Sequence, residues 1–152
     1  MNKENFKISE AQIRYKKSDV TPRIVRRSQD LQEIAFEIYD EWELTTRECF
    51  YVMFFNRKNE IQSFYEAGKG GMTACIADMK IIFTAALLSG ACAMAITHNH
   101  PSGNLKPSEQ DISLTKKIKV IADLLEIKLL DHIIFCKGGA YYSFNDNAIA
   151  PF

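Results

Sequence analysis

Two closely spaced histidines are the residues of this chain best suited to chemistry. The chain has only three histidines, and two of them, His98 and His100, are one residue apart after the apolar run 91–96. The hydroxyl of Ser108 and the carboxylate of Asp111 follow within about a dozen positions. Zinc takes imidazole nitrogens and carboxylate oxygens as ligands, and three protein ligands leave its fourth position open. The pattern therefore predicts a zinc site of the open, catalytic kind.

The elements around these residues are expected to bring them to one ion. Side chains two apart on a strand point to the same face, so His98 and His100 leave the end of a strand at residues 91–97 together. Ser108 and Asp111 are three apart, which places them on one face of the first turn of a helix. The intervening loop is short enough to fold that helix over the histidines.

Ser108 and Asp111 also have the spacing of a helix N-terminal capping box. In that motif the serine hydroxyl caps the helix and the acid reaches back to the serine backbone. Capping alone would account for both residues without any metal. The two roles are compatible, because a capping position also fixes the direction of a ligand.

A hydrolytic site of this kind also needs a general base, and Glu48 is the best candidate. It stands at the head of an apolar, aromatic strand, where a buried charge is costly without a partner. The alternative is a solvated residue at the entry of a strand. His132 is expected to pack on or beside a strand and is not counted as a ligand. Cys49 and Cys92 could touch the site, although core packing is the simpler interpretation.

The hydrophobic pattern predicts an α/β or α+β layered domain with two or three helices and about six strands. The helices are expected from a Ser28 cap through Trp42, from an Asp78 cap to Ser89 and Gly90, and over 108–126. The glycine-rich stretch 68–71 is interpreted as a connecting loop. Strands are expected at 11–16, 48–55, 60–65, 91–97, 129–135 and 141–144.

Composition narrows the class of protein. At 152 residues the chain is expected to fold as one domain without a disulfide framework. Its 19 basic residues balance 19 acidic ones, whereas proteins that bind the phosphates of nucleic acid normally carry a basic surplus. A local patch of Arg23, Arg26 and Arg27 remains possible.

The cysteines and the hydropathy indicate the compartment. None of the four cysteines forms a Cys-x-x-Cys pair, and each lies in or beside an apolar segment, as buried thiols in a reducing compartment do. The N-terminus is polar, unlike a signal peptide, and no apolar run approaches the roughly 20 residues of a membrane span. We therefore expect a soluble cytoplasmic protein without a membrane partner.

The spacing His-x-His, seven residues, Ser, two residues, Asp resembles the JAMM (MPN-plus) metalloprotease pattern. Within that superfamily the sequences of the motifs resemble those of the RadC-like branch, and the resemblance covers roughly residues 30–145. The segments that carry it are His-Asn-His-Pro-Ser-Gly at 98–103, Pro-Ser-Glu-Gln-Asp at 107–111 and Leu-Asp-His at 130–132.

The resemblance implies a cytidine-deaminase-like (JAB/MPN) three-layer α/β domain, with a curved mixed sheet flanked by helices. It implies zinc on His98, His100 and Asp111, Glu48 as the general acid/base, and Ser108 as a group that holds the oxyanion. Residues 1–27 would form an N-terminal segment with an edge strand, and residues 28–152 a single RadC-like domain.

The expected function is that of a zinc-dependent peptidase or isopeptidase acting on a peptide or an isopeptide-linked protein. One alternative is a DNA-associated accessory protein of repair or of a mobile element, as the family name suggests. Another is a zinc-binding scaffold without catalysis. A zinc deaminase is disfavoured because His-x-Glu and Pro-Cys-x-x-Cys are both missing. The chain could also form a homo-oligomer.

Overall fold

One mixed sheet organises the structure, a computed structural model that describes residues 14–70, 77–149 and 151–152. The helices are α1 (Ser28–Ile38), α2 (Glu43–Thr46), α3 (Met79–Leu88) and α4 (Glu109–Leu124). The strands are β1 (Cys49–Phe55), β2 (Ile61–Lys69), β3 (Ala93–Asn99), β4 (Lys128–Phe135) and β5 (Tyr141–Ser143).

Strand β3 lies at the centre of this sheet, whose order is β2-β1-β3-β4-β5. It pairs with β1 antiparallel and with β4 parallel, and all seven of its residues are buried. Helix α4 connects β3 to β4, as a parallel pair requires. The prediction of a central apolar strand here is confirmed.

The helices cover both faces of the sheet. One hydrophobic cluster joins the sheet to α1 through Leu31 and Ile34. The second joins the opposite face to α3 and α4, through Ile82 and Ile118. The chain is therefore a three-layer α/β domain with a mixed sheet, as predicted.

Helix α1 begins one residue earlier than predicted, at the residue that was expected to cap it. Ser28 is its first helical residue and Arg27 occupies the N-cap position. The carboxylate of Asp30 accepts hydrogen bonds from the backbone N–H groups of Arg26 and Arg27, at 2.8 and 3.1 Å. An acid in the first turn thus closes the helix start, which makes a serine cap unnecessary.

The same helix ends at Ile38, so the prediction that it continues to Trp42 is wrong. Tyr39 leaves the helix in an extended conformation, and its buried hydroxyl lies 3.0 and 2.9 Å from the carbonyl oxygens of Cys49 and Thr97. This contact with two strands ends the helix. The Trp42 side chain stays exposed.

Two predicted elements, a first strand and a glycine-rich loop, differ from what the structure shows. Of the strand expected at 11–16, residues 11–13 lie outside the described part, and residues 14–16 are not in a strand. In the loop expected at 68–71, Gly68 and Lys69 instead end β2, because they pair with Phe50 and Cys49 of the fully buried β1. Gly71 lies outside the described residues. Within the described residues the sheet accordingly has five strands, compared with the six or so that were predicted.

The described cysteines are all free thiols. Cys49 is buried in the core on the α1 side of the sheet, as expected. Cys92 and Cys136 are partly exposed, because they lie at the ends of β3 and β4 rather than inside them. Cys75 lies outside the described part of the chain. No described helix is long and apolar enough to cross a membrane.

Candidate metal centre

The two histidines lie at the end of the central strand. His98 belongs to β3, which runs two residues beyond its predicted end, and His100 follows the strand directly. The backbone N–H of His100 donates to the carbonyl oxygen of Phe135 at 3.0 Å, which continues the pairing with β4. Because β3 is held on both sides, it presents both imidazoles from a rigid position.

Asp111 joins these histidines from the first turn of α4. The Nε2 atoms of His98 and His100 are 2.9 Å apart, and the Asp111 carboxylate oxygens lie 3.2 Å from the first and 3.9 Å from the second. A tetrahedral zinc with bonds of about 2.0–2.1 Å places its ligand atoms about 3.3 Å from one another. The three side chains therefore fit the ion, and no other such group of His, Cys, Asp or Glu occurs among the described residues.

The carboxylate of Asp111 is prepared for such a role by its neighbours. Burial alone would raise its pKa, but the neighbouring His98 and the hydrogen bonds from Ser108 outweigh burial and hold the pKa well below its usual value. The carboxylate is ionised at neutral pH as a result, which is the form that binds a cation.

Ser108 occupies the N-cap of α4 and forms the predicted capping box with Asp111. Its hydroxyl accepts from the backbone N–H of Asp111 at 3.1 Å and donates to the Asp111 carboxylate at 2.6 Å. The backbone N–H of Ser108 donates to the same carboxylate at 2.7 Å. Capping and orientation of the acid are thus performed by one exposed serine.

Glu48 lies on the same face of the sheet as both histidines. Phe50 pairs with His98 across β1 and β3, and their rings stack with centroids 6.0 Å apart. Alternate residues of a strand share a face, so continuing this register two positions back places Glu48 opposite His100. Glu48 is half-buried, and among the described residues its carboxylate has no hydrogen bond or ion pair.

A second acid near the start of β1, Glu43, already forms ion pairs. The buried carboxylate of Glu43 lies 2.8 Å from Nζ of Lys69 and 3.8 Å from the guanidinium of Arg47. Hydrogen bonds to Glu43 and Glu66 raise the pKa of Lys69, so its ammonium stays charged beside Glu43. Of the two acids, only Glu48 lacks an ion-pair partner among the described residues.

Asn99, between the two histidines, holds the segment that carries Glu48. It is fully buried, and its Oδ1 accepts from the backbone N–H of Cys49 at 2.8 Å. Its Nδ2 lies 2.9–3.3 Å from three backbone carbonyl oxygens in and after α2, those of Glu43, Leu44 and Arg47. Sequence reasoning missed this role, although an amide side chain inside a buried strand was the available signal.

We expect Asn99→Ala to lower the free energy of unfolding by about 2–4 kcal/mol. The change leaves several buried backbone groups without partners, and each such group costs about 1–3 kcal/mol. Urea denaturation followed by circular dichroism measures the loss. Asn145→Ala, which removes an exposed amide whose side chain has no hydrogen bond among the described residues, is the control and should change stability little. Equal stability of the two variants would contradict the role given to Asn99.

His132 also contacts the centre without belonging to the ligand group. It lies fully buried in β4, as predicted, with its Nε2 2.7 Å from Nδ1 of His98. The outward nitrogen of His100, Nδ1, faces the carbonyl oxygen of Asn104 and therefore carries a proton. Each of the two candidate ligand histidines thus has an outer partner. The contact of His132 was not predicted, and its signal was a histidine inside an apolar strand.

Comparison with known proteins identifies one family, which matches most of the chain. The family model described as "RadC-like JAB domain" matches residues 25–149. A UPF0758 protein of Flavobacterium johnsoniae is 42% identical over 102 residues, covering 67% of this chain and 44% of that protein. For a UPF0758 protein of Porphyromonas gingivalis the identity is 39% over 103 residues, covering 68% and 45% of the two chains.

A UPF0758 protein of Pasteurella multocida is 35% identical over 118 residues, which cover 78% of this chain and 52% of the relative. The chain therefore spans about half the length of the curated relatives it matches. The names of these relatives state no activity.

Proposed function

The chain belongs to the RadC-like JAB domain family, and from this premise we propose that it is a zinc-dependent hydrolase of amide bonds, of the JAMM metallopeptidase or isopeptidase type. The observation that carries the proposal is the convergence of His98, His100 and Asp111, whose ligand atoms all lie within 4.8 Å of one another. Two neutral imidazoles and one carboxylate are a usual ligand set for catalytic zinc.

Zinc at this site would supply a Lewis acid for the amide carbonyl and would lower the pKa of a water molecule towards about 7. Glu48 would take the proton of the attacking water on its carboxylate and return it to the leaving amine nitrogen. Two observations support this role. Glu48 lies on the face of the sheet that carries both histidines, and its carboxylate has no competing partner among the described residues.

Ser108 would stabilise the oxyanion that forms from the amide carbonyl. Its exposed hydroxyl donates to Asp111 in this structure and would have to turn towards the substrate. This rotation of the hydroxyl leaves the Asp111 carboxylate oriented, because the backbone N–H of Ser108 still donates to it. The serine can therefore change partner without disturbing the acid.

Incubation with a peptide library in ¹⁸O-labelled water tests the proposal, since each hydrolysed bond leaves a labelled carboxyl end that mass spectrometry detects. Zinc-loaded protein should produce labelled ends, a chelator should stop their formation, and added zinc should restore it. The double variant His98→Ala/His100→Ala is the matched control. Equal labelling by the double variant, or none by the zinc-loaded protein with peptide and isopeptide substrates, would contradict the proposal.

A DNA-binding role has less support in the structure. Arg23 contacts Glu33 and Glu37, and Arg27 contacts Asp30, so two arginines of the predicted basic patch face acids. The formal net charge of the whole chain is zero. Tight DNA binding that weakens steeply with added salt would favour that role over hydrolysis.

A further inference from the structure

A chain of buried hydrogen bonds runs behind the metal centre, from one candidate ligand to another. Nδ1 of His98 lies 2.7 Å from Nε2 of His132, and Nδ1 of His132 lies 2.6 Å from the hydroxyl oxygen of Thr115. That hydroxyl lies 2.6 Å from the backbone carbonyl oxygen of Asp111. Thr115 and His132 are both fully buried. This series of hydrogen bonds thus begins at His98 and ends at the backbone of Asp111.

The donors and acceptors available fix the direction of every hydrogen bond in this series. A carbonyl oxygen only accepts, so the one hydrogen of the Thr115 hydroxyl goes to Asp111. The Thr115 oxygen must then accept from His132, which places the His132 proton on Nδ1. A neutral ring protonated on Nδ1 accepts at Nε2, so His98 donates its own Nδ1–H there. The Nε2 lone pair of His98 is left facing His100 and Asp111.

His132 is fully buried, and its two ring nitrogens face His98 and Thr115 rather than an acid. A buried charge without a charged partner is costly, so this environment favours the uncharged ring. Packing holds the ring in place, since it stacks on Phe144 with centroids 4.5 Å apart and meets the edge of Phe50 at 6.0 Å.

We propose that His132 and Thr115 are positioning residues of the metal centre, which preset the tautomer of His98 and tie β3 to the first turn of α4. The inference rests on the zinc site of the proposed function. A ligand histidine usually donates its outer N–H to a carboxylate, a backbone carbonyl or water. Here the acceptor is a neutral buried imidazole, which orients His98 without adding negative charge beside the ion.

The tautomers can be observed directly, because the chain contains only three histidines. We expect two-dimensional ¹H–¹⁵N spectra of the ¹⁵N-histidine-labelled, zinc-loaded chain to show His132 neutral, with its proton on Nδ1. His98 should carry its proton on the same atom. A His132 proton on Nε2, or a doubly protonated His132 at neutral pH, would overturn the inference even if no variant could be purified.

Replacement of Thr115 tests the effect on the metal. Thr115→Val keeps the shape of the side chain and removes the acceptor of His132. We expect zinc affinity, measured by competition with a chromophoric chelator, to fall about tenfold, the lower end of the 10–100-fold usually lost with an outer partner of a ligand, because Thr115 acts on His98 through His132. Thr115→Ser restores the hydroxyl and should bring the affinity back near that of the wild type.

Thr97→Val is the matched control, since it makes the same chemical change at another buried threonine. Within the described residues the hydroxyl of Thr97 has no hydrogen-bond partner, so its loss should leave zinc affinity unchanged. Equal affinity of wild type and Thr115→Val, failure of Thr115→Ser to restore it, or an equal loss in both valine variants would overturn the positioning role. Absence of zinc from the wild type would instead remove the proposed metal centre itself.

Discussion

Replacement of Glu48 with glutamine is expected to abolish amide hydrolysis while zinc stays bound. The amide of glutamine has nearly the same shape as the carboxylate, but it cannot take a proton from water and return it to the leaving amine. General acid–base catalysis contributes about 10²–10⁴-fold to a rate, so labelled carboxyl ends should form at least about a hundredfold more slowly. Zinc content should stay at the wild-type level, because Glu48 is outside the ligand group.

Glu41→Gln is the control for the Glu48 variant. Glu41 lies upstream of β1, and its side chain is 84% exposed, so the same change of charge there should leave the rate unchanged. Wild-type rates in the Glu48 variant would remove this residue from the mechanism. Loss of zinc together with activity would mean that Glu48 shapes the metal centre rather than moving a proton.

Removal of zinc is expected to lower the melting temperature of the wild type strongly. An ion that binds only the folded site stabilises the folded state by about 4 kcal/mol when free zinc exceeds the dissociation constant a thousandfold. For a domain of about 150 residues this corresponds to roughly 8–16 °C in Tm. Differential scanning calorimetry before and after dialysis against a chelator measures the change.

The double variant His98→Ala/His100→Ala separates the metal from other effects of the chelator. It lacks both imidazole ligands, so dialysis against the chelator should leave its melting temperature unchanged. Added zinc should restore the wild type, and added magnesium should not, because Mg²⁺ prefers six oxygen ligands. An unchanged melting temperature in wild type that has lost its zinc would contradict this prediction.

Features that depend on neighbours in sequence could be predicted well. The Ser108 cap and the Asp111 position rest on a three-residue spacing at a helix start, and both are present in α4. The apolar character of residues 91–97 predicted a central strand, which β3 is, although it runs over Ala93–Asn99. Strand alternation then brought His98 and His100 to one side, as their 2.9 Å separation shows.

Features that depend on pairing between distant segments could not be predicted in this way. His132 faces α4 because the register of β3 with β4 shifts between Met94 and Ile96, so that His132 pairs with Ile96. A shift of one residue moves a side chain to the other face of a sheet. No local pattern around residue 132 reveals that shift, so the contact with His98, 34 residues away, emerges only in the folded chain.

The end of α1 has a similar cause. Apolar residues continue at helical spacing to Trp42, and they favour a longer helix than Ser28–Ile38. The hydroxyl of Tyr39 instead reaches carbonyl oxygens of β1 and β3. Tertiary hydrogen bonds of this kind override local helix propensity.

Zinc content per chain, measured by elemental analysis of purified protein beside His98→Ala/His100→Ala, is the most direct test of the metal centre. We expect about one zinc per wild-type chain, since His98, His100 and Asp111 form a single three-residue group in the described part of the chain. We expect none in the double variant. No zinc in the wild type after incubation with zinc, or equal zinc in both proteins, would contradict the metal centre and with it the proposed hydrolase.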